Sequence, residues 1–306
     1  MQRGKAAGRL QGRTSATIGD NMKAPEFAYD RPETLAAALA ALSAAGPDAR
    51  LLAGGQSLMP MLNFRVVEPT VLIDINRVPG LDTIEEAGDL IRIGALVRHV
   101  AMERSELVAT HLPMVHKVMP HIAHAAIRSR GTIGGSLALA DPSAELPACM
   151  IALEATIVAH SQNGERRIAA DDFFIGVYET VLASDEMIVA VEIPKQTARG
   201  HAFREIARRH GDYAMVGLAM TTATGVSLDN ARIVFFGVAG RPVRAKAAEA
   251  AIVGLVAGTE AGECAAAALD GTLEPHGDLN APPAMKLHLA KVLLKRAIAE
   301  LQERVS

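Results

Sequence analysis

The sequence predicts an α+β chain whose first domain has two subdomains, a small βαβ unit and an antiparallel sheet covered by helices. A C-terminal domain with a small antiparallel sheet and a helix bundle follows. Three observations carry this expectation. A helical period and two short apolar runs alternate between residues 30 and 75. Apolar runs of strand length, separated by turn residues, recur between residues 90 and 194. From Val243 onward the chain is alanine-rich and helical in period.

The elements follow in order. After Asp30, Pro32 suits a first helical turn, Leu35, Leu39 and Leu42 recur at i, i+4 and i+7, and Gly46 followed by Pro47 ends the helix. A strand over residues 51–53 runs into Gly54, Gly55, Gln56 and Ser57, and a second strand over 71–75 completes the βαβ-like unit. Residues 90–95 alternate as a strand does, 97–104 read as a helix, and a long helix-compatible run spans Leu112 to Ile127. Then come "RGTIGGSLALADPSAELP" (130–147), a helix over "AELPACMIAL", a strand over 155–160, the turn "SQNGE" leading to "RRIAADDFF", and a strand "MIVAVEI" ending at Pro194.

Residues 197–200, "TARG", are the expected boundary between a first domain at 22–197 (subdomains about 22–77 and 78–197) and a second at 198–306. Beyond it "HAFREIARR", "AMVGLAMTTAT" and "ARIVFFGVAG" read as a strand meander. Helices are expected from Val243 to about Gly254, through "GECAAAALDG", and from about Ala284 to Val305. Residues 1–21 lack an apolar signal core and read as a disordered tail or a misassigned start, since Met22 opens the first stretch of globular character.

Composition narrows the function. Hydrophobic residues make up 50%, as in ordinary globular proteins. Lys plus Arg total 31 against 34 Asp plus Glu, a net charge of -3 that argues against a nucleic-acid partner, and 3% aromatics with no Trp leaves little for base stacking. No window has the roughly 18 uninterrupted apolar residues of a membrane helix. Cys149 and Cys264 are too few and too far apart for a disulfide framework, a metal site or an iron–sulfur cluster, and are read as small buried or half-buried residues in a reducing, cytoplasmic setting.

Two glycine-rich turns carry the chemistry: Ala53, Gly54, Gly55, Gln56, Ser57, and Thr132, Ile133, Gly134, Gly135, Ser136. Neither matches the dinucleotide fingerprint or the phosphate loop. Facing each other across a cleft, their N–H groups and hydroxyls could surround a diphosphate, each charge-assisted hydrogen bond contributing roughly 1.5–3 kcal/mol. An acid such as Glu145 or Asp141 then has a place accepting from ribose hydroxyls. Asp141 precedes Pro142, where turn chemistry fits it slightly better than a ribose contact. His121 and His124 share a helical face at i, i+3, but no carboxylate or cysteine nearby completes a metal set. Arg128 and Arg130 fit either phosphate neutralisation or surface ion pairs.

Taken together, "LLAGGQSLMPMLNFR", "VLIDINRV", "IAHAAIRSRGTIGGSLALADPSAELPA", "MIVAVEIP" and "RRHGDYAM" resemble the FAD-binding medium subunit of the molybdenum hydroxylases, among them carbon monoxide dehydrogenase and the flavin domain of xanthine dehydrogenase. The resemblance covers nearly everything from Met22 to the end. It implies a PCMH-type FAD-binding domain followed by a carbon monoxide dehydrogenase flavoprotein C-terminal domain. It further implies that both glycine turns wrap the FAD diphosphate, that Glu145 contacts the adenosine side, that Tyr213 lies near the isoalloxazine ring, that Ile188 is an apolar contact, and that Arg204 is the family's basic residue. Ser136 stands where many relatives have Asn.

The implied partners are a large molybdopterin subunit and a small subunit with two-iron two-sulfur clusters, in a dimer of heterotrimers, in the cytoplasm or at the inner face of the membrane. FAD would be the cofactor on this chain, which needs no catalytic acid or base of its own. Two other readings fit the same nucleotide site: a stand-alone FAD oxidase or dehydrogenase, which needs a substrate pocket over the flavin, and a non-catalytic nucleotide-binding scaffold.

Overall fold

The computed structural model describes residues 23–196, 199–223 and 226–303. The expectation for residues 1–21, and Thr197 and Ala198 of the expected boundary, lie outside them. The first subdomain runs β1 (Ala28–Asp30), α1 (Leu35–Ala45), β2 (Ala49–Leu52), α2 (Leu58–Asn63), β3 (Val71–Asp74), a parallel sheet in the order β1-β3-β2. Thr34 caps α1 by accepting the Ala37 N–H at 3.1 Å, and Ala38, Leu39 and Leu42 face the core. The sequence reading missed β1, whose three residues are all exposed and show no apolar alternation. Because the strands are parallel, the first glycine turn leaves the sheet at the carboxyl end of β2, the edge where α/β sheets place ligands.

The second subdomain contains β4 (Ile84–Ala87), β5 (Leu90–Gly94), α3 (His99–Arg104), α4 (Glu106–His111), α5 (Pro113–Val118), α6 (Ala125–Arg128), α7 (Ile133–Leu139), α8 (Glu145–Ala152), β6 (Thr156–Ser161), β7 (Gly164–Ala169), α9 (Ala170–Phe173), the hairpin β8 (Phe174–Gly176) and β9 (Glu179–Thr180), and β10 (Met187–Pro194). Its five-stranded sheet has the order β4-β5-β10-β6-β7 and is antiparallel throughout. Central β10 is buried on both faces, and its one charge, Glu192, is neutralised by Arg92 at 2.5 Å and Arg167 at 3.2 Å.

The long helix expected from Leu112 to Ile127 is broken. It ends at Val118, a single 3₁₀ turn holds Met119, Pro120 and His121, and α6 begins only after His124. Pro120 has no N–H to continue the ladder, and Ala123 at φ 46 reverses the chain. His121 and His124 therefore do not share a helical face.

The C-terminal domain is β11 (His201–Ile206), β12 (Val216–Thr221), β13 (Arg232–Phe236), β14 (Val243–Arg244), α10 (Lys246–Ala251), α11 (Thr259–Ala267) and α12 (Pro283–Glu303), with the antiparallel order β11-β12-β13-β14. Val243 and Arg244 extend the sheet where the sequence suggested a helix start, because they pair with Phe235 and Val234. Strand alternation gives this sheet two apolar faces. Phe203, Ala219, Val234 and Phe236 join the core of the second subdomain, while Ala202, Leu218, Ile233 and Phe235 join the core under α10, α11 and α12. Cys149 is buried, but Cys264 is exposed on the outer side of α11, not half-buried. Among the described residues no helix is long and apolar enough to cross a membrane.

Candidate nucleotide site

The first glycine turn, residues 53–57, connects β2 to α2. Gly55 lies at φ 72, a conformation that favours glycine. Among the described residues, the N–H groups of Gly54, Gly55, Gln56 and Ser57 donate to no backbone carbonyl. Four successive amides left open in a tight turn form a concavity suited to an anion. The second turn differs. Thr132 caps α7 by accepting the Gly135 N–H at 3.1 Å, and the amides of Ile133, Gly134 and Ser136 donate to Val97 O (3.1 Å), Ala95 O (2.9 Å) and Thr132 O (3.0 Å). It therefore offers the Ser136 hydroxyl and the bare face of Gly135, while the open amides belong to the first turn.

The first turn packs against the residues that lead into the second, since a Cβ on Gly54 would collide with the Arg130 carbonyl; Gly134 instead packs on Ala95, whose O its Cβ would meet at 2.7 Å. Ala53, Gly54, Gly55, Gln56, Ser57, Thr132, Gly135 and Ser136 all line one cavity of about 100 Å³. Ile133 and Gly134 are buried behind it as packing.

A polar network that sequence reasoning missed sets this spacing. Tyr29 donates to Asp74 Oδ2 at 2.5 Å, and Asp74 Oδ1 accepts from the Asn76 backbone (2.9 Å) and side chain (2.6 Å). Burial opposes ionisation of Asp74, but these bonds outweigh it and hold the carboxyl below its ordinary range. Asn76 Nδ2 also reaches Ala53 O at 2.9 Å, and Asn76 Oδ1 accepts from Arg98 at 2.5 Å. Arg98 in turn donates to the Arg130 carbonyl. Its only trace in the sequence is the "DIN" run at the end of β3.

A larger cavity of about 520 Å³ adjoins the first. Gln56, Ser57 and Ser136 lie on the glycine side, Ile122, Ile127 and Leu139 form an apolar wall, and Asp141 and Glu145 face Arg208, Asp212, Tyr213 and Asn280 of the C-terminal domain. Glu145 opens α8 and is 7% exposed; burial pushes its carboxyl up to about 7, helped by the negative charges of Glu205 and Asp141. Asp141 accepts the Ser143 N–H at 2.9 Å, a turn bond before α8. Tyr213 exposes its ring, 66% accessible, yet its phenol is pushed up to about 12, by burial first and then by Asp141, Tyr178 and Glu145.

Glu145 and Tyr213 thus share one cavity, whereas the resemblance set them at opposite ends of the ligand. Ile188 lies in the core cluster that also holds Ile133 and Leu137 and lines neither cavity. Arg204 faces α12, where it pairs with Glu300 at 3.1 Å, also away from both cavities. Strand alternation explains this, since Phe203 and Glu205 point to the first domain and Arg204 between them cannot. Arg128 is taken by Glu103 at 2.9 Å and by the carbonyls of Ile122 and Ala123 at 3.1 Å, and so holds the loop that walls the large cavity.

Comparison with known proteins identifies the two domains. The family described as the FAD binding domain in molybdopterin dehydrogenase matches residues 25–196, and the CO dehydrogenase flavoprotein C-terminal domain matches residues 201–301. The chain belongs to the FAD subunits of the molybdopterin dehydrogenases. Within that family it is 38% identical to the nicotine 6-hydroxylase medium subunit of Paenarthrobacter nicotinovorans, over 92% of this chain and 100% of that one. It is 36% identical to the carbon monoxide dehydrogenase medium chain of Hydrogenophaga pseudoflava, over 90% and 96%. A solved carbon monoxide dehydrogenase from Hydrogenophaga pseudoflava superimposes with a TM-score of 0.89 at 38% identity, covering 92% of this chain and 99% of that one. As a molybdopterin-dehydrogenase FAD subunit, the chain is one component of an oxidoreductase and carries its FAD-binding domain.

Proposed function

We propose that this chain is the electron-transfer subunit of a heterotrimeric molybdenum hydroxylase, taking electrons from iron–sulfur clusters on a small partner and passing them to an external acceptor. The large partner would hold the molybdopterin where substrate is hydroxylated, two heterotrimers would pair, and the assembly would be cytoplasmic. The observation that carries this reading is the open amides of residues 54–57 at a cavity that Thr132, Gly135 and Ser136 of the second turn also line. Each domain would act as one unit, divided after residue 197.

These residues fit FAD. Gly54, Gly55, Gln56 and Ser57 would donate to the diphosphate, with the Ser136 hydroxyl opposite and Gly135 leaving room for close approach. The apolar wall of Ile122, Ile127 and Leu139 would exclude water from one ring, with Tyr213 at its edge. FAD, when bound, supplies the two-electron to one-electron conversion that links a hydroxylase to single-electron clusters. The chain itself binds, orients and shields.

The test is purification of the complex from cells expressing this chain with its two candidate partner chains. One FAD per copy of this chain, no iron on the chain after separation, and reduction of the flavin when substrate is added are expected. Iron on the isolated chain, or flavin that stays oxidised while the iron–sulfur centres are reduced, would overturn the electron-transfer reading.

A further inference from the structure

Lys286 is a buried cation that lines neither cavity. It lies in the first turn of α12 and is 3% exposed. Its Nζ donates to the Gly237 carbonyl at 2.6 Å and pairs with Asp278 Oδ2 at 2.7 Å. Burying an ammonium is costly unless it is paired, and the helix dipole disfavours a cation in a first turn. An apolar side chain would pack there without either penalty, so the charge is explained by what it holds.

It holds segments that wall the large cavity. Asp278 Oδ1 accepts the N–H groups of Asn280 at 2.7 Å and Ala281 at 3.0 Å, and the Asp278 N–H closes the turn on the Ala281 carbonyl at 3.0 Å. Anchoring Asp278 therefore anchors Asn280, which lines the cavity. Gly237, directly after β13, lies at φ 73. Its N–H donates to the Pro142 carbonyl of the first domain at 2.9 Å, and a Cβ on it would meet the carbonyl oxygens of Ala214 at 2.9 Å and Met215 at 3.0 Å. Asp141, Tyr213 and Met215, beside or within those contacts, all line the cavity. One ammonium thus joins three distant stretches of its wall.

We propose that Lys286 is a positioning residue for the bound flavin, setting where Asn280, Tyr213 and Asp141 stand around the large cavity. The proposal rests on the reading that this cavity receives a ring of FAD. Lys286 acts through Asp278 and Gly237 and does not touch the ligand. Removing its charge frees the Asp278 turn and takes a donor from the buried Gly237 carbonyl, so the wall loosens on both sides.

The experiment uses the purified complex loaded with FAD. Lys286→Met keeps an unbranched side chain and removes the charge. Asp278→Asn keeps an acceptor for Asn280 and Ala281 and weakens the hold on the ammonium, at a side chain 42% exposed. Hydrogen exchange should quicken about tenfold or more over residues 141–145 and 276–281 in Lys286→Met, and over 276–281 in Asp278→Asn, with β6 and β10 at wild-type rates. At equal FAD occupancy the visible circular dichroism of the flavin should change in both variants, which a loss of stability alone would not cause. The double variant should change it no further than Lys286→Met, because both act through one contact. Wild-type dichroism in both FAD-loaded variants would overturn the positioning role, and if Lys286→Met does not fold, the same band in Asp278→Asn decides. In the wild type, FAD should protect residues 208–215 and 276–281 from exchange. FAD-loaded wild type without that protection would overturn the reading of the cavity, whatever the variants do.

Discussion

Asn76 and Arg98 are joined by a hydrogen bond of 2.5 Å that crosses from one subdomain to the other. Asn76 holds the carbonyl of Ala53 at 2.9 Å, and Arg98 holds that of Arg130, so this pair fixes how far apart the two glycine turns stand. Hydrogen bonds to charged groups contribute roughly 1.5–3 kcal/mol, so Arg98→Ala should lower unfolding stability by about 2 kcal/mol. With the spacing loosened, FAD affinity should fall by at least about tenfold, equal to about 1.4 kcal/mol. Thermal unfolding and flavin fluorescence titration read the two effects separately.

The glycines of the second turn should separate folding from binding. A Cβ on Gly134 would meet the Ala95 carbonyl oxygen at 2.7 Å, backbone that cannot step aside. Gly134→Ala should therefore destabilise the chain by about 1–3 kcal/mol. Gly135 is exposed, and its Cβ would meet only the Thr132 hydroxyl, at 2.8 Å. Gly135→Ala should cost less, at most the roughly 0.5–2 kcal/mol of the Thr132 cap it presses on, and should lose FAD affinity, because Gly135 lines the cavity shared by both turns. Equal losses of stability in both variants would contradict this assignment.

His99 and Glu145 should tilt stability in opposite directions with pH. His99 is 5% exposed, and burial lowers its imidazole from 6.5 to about 4. Below pH 6.5 the unfolded chain binds a proton that the native chain refuses, so stability falls as pH drops from 6.5 towards 4, by about 3 kcal/mol in all. Glu145 is raised from 4.5 to about 7, so its contribution is fully present below 4.5 and is lost as pH rises through 7. The slopes oppose between those values. Glu145→Gln should steepen the loss of stability towards acid, and His99→Gln should leave the FAD-free chain more stable at pH 5 than at pH 7. Urea denaturation at several pH values measures both.

The two thiols should differ in reactivity. Cys149 is fully buried among apolar side chains, and burial, with Glu145 and Glu205 adding to it, holds its thiol well above the ordinary range. Cys264 is exposed on α11. A thiol reagent should titrate one cysteine per native chain and two after denaturation. Two fast thiols in the native chain would mean that α8 is not packed as described.

Most elements were legible because they follow apolar period, and the site was legible wherever glycine pairs marked a turn. What escaped depends on contacts between distant segments. The Tyr29, Asp74, Asn76 and Arg98 network joins residues 22 to 45 positions apart, and no local pattern announces it. The break of the expected helix at Pro120 was written in the sequence, but the apolar period on both sides of it masked it. β1 is too short and too exposed to show a period. Glu205 reads as one charge in a charged strand, and only the packing of β11 against the first domain sets it beside His121.

The alternation of β11 yields the last prediction. Arg204 was the basic residue expected near FAD, but it points to α12 and meets Glu300 at 3.1 Å, with its side chain 37% exposed. A pair this open contributes within about 1 kcal/mol, since solvent screens it. Arg204→Ala should therefore change stability by no more than that and leave both FAD content and midpoint potential at wild-type values. Glu205, one position on, points the opposite way, with its Oε1 2.9 Å from His121 Nδ1. Loss of FAD in Arg204→Ala would show that the resemblance placed the side chain better than strand geometry does, and would require β11 to shift by one residue.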